Sequence, residues 1–332
     1  MTRQELIEDT KMGRPHVVIL GAGASKAAFP RGDRNGLELP QMNDLVETIG
    51  LDETFTKYGI PYKNINFEEI YDELNNEREN NPITEVINNH VWNYFSRLKL
   101  PDYPTIYDYL VLSLRDKDLI ATFNWDPFLY QACWRYNKRA KLPNVAYLHG
   151  NVSIGFCLTD RRKGLIGRNC SVCNKPYIPS KLLYPIKTKD YSADPFIKSE
   201  WDGLRQYLEH AYILTIFGYS APDSDVEAIK LMKDTWGKWE DRNLEQVELI
   251  DIKDETTLRN TWGDFIHTHH YDYFNDFYQS SLSLFPRRTC EAQWNSSMEV
   301  QFLEQNPVPR DLGVQELLEW YSPLFEAEQN KA

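Results

Sequence analysis

Five short runs of β-forming apolar residues constrain this 332-residue chain more than any other feature: VVIL at 17–20, LIATF at 119–123, VAYL at 145–148, YILTIF at 212–217 and VELI at 247–250. Nearly unbroken apolar runs of this length read as strands buried on both faces. Between most of them lie stretches with apolar residues at three- and four-residue spacing, at 84–98, 106–114, 127–136, 194–210 and 225–236. Strands alternating with such helices predict an α/β fold, a mostly parallel sheet with helices on both faces.

The residues immediately after each run are as informative as the run itself. Gly21, Ala22, Gly23, Ala24 and Ser25 come after the first, and Asn124-Trp125-Asp126 after the second. His149 and Gly150 come after the third, Gly218-Tyr219-Ser220 after the fourth, and Asp251 after the fifth. In an open parallel sheet these positions share one edge, the edge at which such sheets bind ligands. The first turn is G-x-G-x-S and lacks the third glycine of the dinucleotide fingerprint. Asn, Asp, Ser and Gly also serve as turn and cap residues, and both roles fit Asn124 and Asp126 ahead of a helix opening near Pro127. Asp223 and Asp225, in "SAPDSDVEA", read as caps of the next helix.

Composition narrows the class. Hydrophobic residues make up 42% and charged residues 26%, the balance of an ordinary folded protein with a real core. A net charge of −12 argues against direct nucleic-acid binding over the whole surface. The first fifteen residues lack an apolar signal core, and no apolar run approaches a membrane span. Five cysteines, an odd and sparse count, do not read as a disulfide framework, so a reduced cytoplasmic location is expected.

Residues 1–272 read as one catalytic domain, with a helical insertion at about 41–115 and a small irregular Cys-containing module at about 151–190. Residues 273–332 read as a helical extension, with helices at 273–285, 291–305 and 314–325. It serves either as a cap on the fold or as an oligomer contact. The "HTHH" run, His267–His270, reads as part of a strand with no matching acids or cysteines to make it a metal site.

"GAGAS", "TFNWD", "LHG" and "IFGYSAPDSD", in this order, resemble the SIR2-like (sirtuin) superfamily over roughly residues 16–270, and within it the bacterial antiphage-defence members. The resemblance implies a Rossmann-like NAD-binding fold with a small inserted module. It implies cleavage of the nicotinamide–ribose bond of NAD+, with ADP-ribose passed to water in defence members and to an acyl-lysine in classical ones. Gly21, Ala22, Gly23 and Ser25 match the family's phosphate turn; Asn124 and Asp126 its nicotinamide-ribose pocket; His149 its catalytic histidine. Gly218, Tyr219 and Ser220 match a later turn near the phosphates and ribose, and Asp251 loosely a strand end near the adenosine. The classical "G-I-P-D-F-R" stretch is replaced by "AAFPRGDRNG", which leaves the roles of Arg31, Asp33 and Arg34 open.

The resemblance implies that the chain is an NAD+ glycohydrolase that depletes NAD in defence. It also implies a homo-oligomer and a co-encoded partner such as a nucleic-acid-processing ATPase. Protein deacylation and a regulatory subunit that binds NAD or ADP-ribose without turnover are the alternatives. In the leading reading nicotinamide departs neutral, so the protein must fix the ribose, shelter an oxocarbenium cation and aim a nucleophile. Asn124 would hold water or a ribose hydroxyl, Asp126 ribose hydroxyls, and His149 a proton. Cys157, Cys170 and Cys173 supply three thiolates where tetrahedral structural zinc needs four ligands. A structural zinc and a metal-free loop of buried thiols both fit that set.

Overall fold

The structure, a computed structural model, describes residues 1–77, 82–187, 189–242 and 244–329. Its centre is a six-stranded parallel sheet, accompanied by a three-stranded antiparallel one. In chain order the strands are β1 (His16–Leu20), β2 (Leu119–Thr122), β3 (Asn144–Tyr147), β4 (Ile154–Cys157), β5 (Arg162–Leu165), β6 (Ile178–Pro179), β7 (Ile213–Phe217), β8 (Gln246–Ile250) and β9 (Tyr271–Phe274). The large sheet runs β3-β2-β1-β7-β8-β9. Counting only its own strands, that order is 3-2-1-4-5-6, the doubly wound Rossmann order, which reverses direction between β1 and β7.

The apolar runs are continuous because both faces are buried. Val18 and Leu20 join a core with the helices Pro82–Phe95, Ile106–Ser113 and Val314–Gln329. Val17 and Ile19 point the other way, into a core with Pro195–His210, Val226–Trp236 and Glu255–Trp262. Between the helix Ala22–Ala28 and β2 lie five helices: Leu45–Thr48, Asp52–Tyr58, Phe67–Glu77, Pro82–Phe95 and Ile106–Ser113. No helix among the described residues is long and apolar enough to cross a membrane.

Four expectations need correction. The Cys-containing module is not irregular: β4 pairs antiparallel with both β5 and β6. The strand expected around "HTHH" begins only at Tyr271, and His267–His270 form a bend before it. Consequently residues 271–274 are the sheet's sixth strand, paired with β8, where a helix from 273 was expected. The tyrosines and Asp272 of this edge strand gave no apolar run to read. Beyond it the helices are Ser281–Leu284, Thr289–Ser297 and Val314–Gln329, so 298–305 is not helical. The extension caps the fold: Leu317, Tyr321 and Leu324 are buried in the core of Val18 and Leu20.

A polar ladder beneath the sheet ties this cap down. Thr289 bonds to His16 Nδ1 at 2.9 Å, and His16 Nε2 to Thr215 Oγ1 at 2.7 Å. Thr215 donates to Glu248 at 2.9 Å, and Glu248 accepts the Ser281 N–H at 3.2 Å. Burial pushes Glu248 up to about 7, against the pull of its Ser281 and Thr215 hydrogen bonds. The folded chain therefore holds a proton that the unfolded chain releases near 4.5, and this contribution to stability is lost as pH rises from 4.5 through 7. Glu248→Gln should abolish that loss: between pH 4.5 and 7.5, urea unfolding should show wild type losing about 3 kcal/mol relative to the variant. An unchanged difference would show that Glu248 is ionised throughout. His16 works in the opposite sense, since burial lowers it to about 3 and its contribution is lost as pH falls below 6.5.

Candidate active site

The carboxyl edge of the large sheet opens onto a cleft of about 850 Å³. A residue one or two positions beyond each of β1, β2, β3, β7 and β8 lines it: Gly21, Asn124, His149, Gly218 and Asp251. Ala22, Gly23, Ser25, Trp125, Asp126, Tyr219 and Ser220 line it as well, whereas Ala24 and Gly150, at the same strand ends, do not. The cleft straddles β1 and β7, where the strand order reverses.

The glycines of the two central turns serve the protein before any ligand. The Gly21 and Gly23 N–H groups donate to the carbonyls of Phe217 and Gly218 at 3.0 and 2.9 Å. A Cβ on Gly21 would lie 2.5 Å from Gly218 O, and one on Gly23 2.8 Å from Gly218 Cα. The turns after β1 and β7 thus pack backbone against backbone, and together they form the floor of the cleft.

On one side of that floor sits a buried polar cluster. Asn124 donates through Nδ2 to Gly21 O at 2.8 Å and to Ser25 Oγ at 3.0 Å. Ser25 donates to Asp126 Oδ2 at 2.7 Å and bonds to the Tyr107 hydroxyl at 2.7 Å. With both amide protons engaged, Asn124 keeps its Oδ1 acceptor without a partner among the described residues. Burial raises Asp126 to about 6, against the hydrogen bonds from Ser25 and the Phe128 N–H. That last bond, at 3.2 Å, reaches the first N–H of the helix Phe128–Tyr136 from one residue before its Pro127 N-cap, the helix-start role the sequence offers Asp126.

His149 lies on the other side, 6% exposed, edge-on to Phe123 and stacked on Tyr191. Its Nε2 is 3.2 Å from the Tyr191 hydroxyl and 3.6 Å from Asp225 Oδ1. Asp225 also accepts from Tyr219 at 2.7 Å and is ion-paired with Lys189. Burial lowers His149 to about 3, a fall that Asp225 opposes and Lys189 assists, so the ring is neutral near pH 7. Burial works against ionisation of Asp225, but the Lys189 ammonium and the Tyr219 hydroxyl oppose it and the carboxyl stays below its usual range.

Asp225 therefore corrects the sequence reading. Its side chain makes no cap hydrogen bond to the helix Val226–Trp236; the buried Lys189 ammonium draws it into the cleft instead. Lys189, Tyr191 and Tyr107 were not singled out at all. The first two sit in a loop without periodicity, and Tyr107 lies on a helix whose residues are all buried. Arg31, Asp33 and Arg34 do not line the cleft. Asp33 organises its own loop, accepting from the N–H groups of Asn35, Leu37 and Lys99. Ala27 of that stretch and residues 39–43 beyond it line the cleft instead.

The cysteine module gains the ligand the sequence did not supply. Ligand atoms of Cys157, Asp160, Cys170 and Cys173 all lie within 4.8 Å of one another. The thiols are free, with Cys157 and Cys173 sulfurs 3.4 Å apart and Asp160 Oδ2 3.2 Å from Cys170 Sγ. Three sulfurs and one carboxylate oxygen at these separations suit tetrahedral zinc, whose bonds run about 2.0–2.3 Å. No member of the set lines the cleft, so the metal would brace the small sheet. Protein purified with zinc is expected to carry about one equivalent by elemental analysis, and Asp160→Ala to lose most of it. Equal zinc in that variant would remove Asp160 from the set. His267–His270 belongs to no such cluster among the described residues.

No family model matches the chain, and no curated protein matches it. Several solved Sir2 structures are similar to it. A study of the mechanism and regulation of Sir2 enzymes gives a TM-score of 0.42 at 15% identity, covering 87% of this chain and 94% of that one. A Sir2 homolog–NAD complex gives 0.37 at 14%, covering 88% and 93%. Sir2 bound to acetylated peptide gives 0.36 at 15%, covering 89% and 96%.

Proposed function

We propose that the chain breaks the bond between nicotinamide and ribose in NAD+ and passes the ADP-ribose to water. The observation that carries this reading is the convergence, in one cleft at the switch point, of an uncommitted amide oxygen on Asn124, an ionisable Asp126 and a neutral His149. The cationic pyridinium leaves without needing a proton, so the protein's task is to stabilise positive charge on the ribose and orient the attacking oxygen. Asp126, with Ser25 donating to one oxygen, supplies the negative charge; Asn124 Oδ1 orients the water; His149 receives its proton. Phe123, Trp125 and Phe217 line the same space and exclude bulk solvent. Depletion of NAD in antiphage defence, self-association and a co-encoded partner belong to this reading and rest on the sequence resemblance.

Deacylation is the second reading. The four-ligand set completed by Asp160 favours it, because the classical members that the chain resembles carry a zinc ribbon of two Cys-x-x-Cys pairs in the inserted module, of which Cys170–Cys173 matches one. Incubation with NAD+, alone and with an acetyl-lysine peptide, separates the two. Nicotinamide release independent of peptide supports hydrolysis; release only with peptide, with loss of its acetyl group, supports deacylation; binding without release leaves a regulator.

A further inference from the structure

The loop that carries Lys189 has no regular structure, yet its lysine side chain is as buried as a core residue, at 3% exposure. A lysine is placed so only against a partner. Here the partner is Asp225, which in turn reaches Tyr219 and His149. Lys189 Nζ also lies 3.5 Å from Ser224 Oγ, and its backbone N–H donates to Glu227 at 3.0 Å. The loop is therefore fastened at both backbone and side chain to the start of the helix Val226–Trp236.

Asp225 Oδ1 is 3.6 Å from Nε2, so it acts on the ring by charge, favouring the tautomer with the proton on Nε2, from where it is donated to the Tyr191 hydroxyl at 3.2 Å. Nδ1 is then the lone-pair nitrogen, and it has no hydrogen-bond partner among the described residues. We infer that Lys189 is a positioning residue: by anchoring Asp225 against Nε2 it fixes the tautomer and orientation of His149, leaving Nδ1 as the proton acceptor. Without the lysine, the carboxylate would turn its full charge on the imidazole.

The other groups around His149 are consistent with this division of labour. Tyr191 stacks on the ring and Phe123 meets it edge-on. Glu68, from the helix Phe67–Glu77, faces the Lys189–Asp225 pair; burial first, and then Asp225, raise its carboxyl. Asp223 and Glu227 flank the pair from the turn and helix that follow Pro222. Lys189 is the cation that this set of acids shares nearest the imidazole.

The activity arm of the test rests on the proposed NAD+ cleavage; the titration arm does not. In Lys189→Met, NMR titration of ring-labelled full-length protein should show His149 titrating about 1–3 pH units higher than in wild type. Lys189→Arg should restore the wild-type value. Single-turnover nicotinamide release should fall about 10²-fold in Lys189→Met with KM for NAD+ nearly unchanged, the signature of a misplaced group and not of a lost binding contact. Should that variant fail to fold, Asp225→Asn carries the test, since it keeps the shape and should lose turnover while His149 titrates no higher than in wild type. An unchanged His149 titration in Lys189→Met, or a rise in KM at constant kcat, overturns the inference. A shifted titration in a protein that never cleaves NAD+ would leave it standing and reject the proposed function instead.

Discussion

His149→Ala is expected to lower nicotinamide release from NAD+ by about 10²–10⁴-fold, the contribution of a positioned general base. The fold should survive. The ring makes one hydrogen bond, to Tyr191, and its removal leaves Asp225 still held by Lys189 and Tyr219, so no buried charge is orphaned. NAD+ affinity should change far less than turnover, because the rest of the cleft is intact. Asn124→Ala should lose turnover comparably and lose stability as well, since Gly21 O and Ser25 Oγ each lose a donor. Its unfolding free energy should drop by about 1–3 kcal/mol. The acid limb of the wild-type pH–rate profile should fall near pH 6 and belong to Asp126, whose ionised form is lost as pH drops through its raised value. Because burial holds His149 near 3, its protonation lies below that limb. Single-turnover release and calorimetric NAD+ binding on both variants check these expectations. Near-wild-type cleavage by His149→Ala would remove it from the chemistry.

Gly218→Ala is expected to unfold or nearly unfold the domain, at a cost of about 4 kcal/mol or more. Gly218 has φ +59, and a Cβ there would lie 2.2 Å from Ala24 N and 2.4 Å from Gly23 C. Both obstacles are backbone of the opposing turn, so no side chain can swing aside. Gly36→Ala is the control: its φ is +79 but nothing lies within 4 Å of the added carbon. It should cost only the backbone strain, about 1–2 kcal/mol. Urea unfolding of the two variants isolates turn-to-turn packing from left-handed strain. Equal, small losses would mean that the turns after β1 and β7 separate easily and that the cleft floor is soft.

Both sites lie at strand ends, the part of the fold most legible in the sequence. Four of the five strands read from the sequence, β1, β2, β7 and β8, are buried along their whole length, the edge strand β3 only in its second half, and the polar residues at their ends stood out against these apolar runs. Topology then did the rest: the parallel order brings Gly21, Asn124, His149, Gly218 and Asp251 to one edge without any further signal. What escaped was material whose role is set by tertiary contact alone. Lys189 and Tyr191 lie in a loop, and a buried ion pair has no sequence period. Asp225 looked like a cap because caps and ligands use the same residue types. The Gly21 and Gly23 turn suggested an approaching ligand, when the close approach is that of Gly218. Asp160 drew no attention because it lies in a turn outside the Cys-x-x-Cys spacing, and only the folded module brings it beside the three thiols.

The most direct test is nicotinamide release by the purified full-length chain given NAD+ as its only substrate. Catalytic release with equimolar ADP-ribose, abolished in His149→Ala, is the expected result. Absence of release together with absence of calorimetric NAD+ binding, in a protein whose unfolding shows it to be native, would contradict the assignment of the cleft to NAD+.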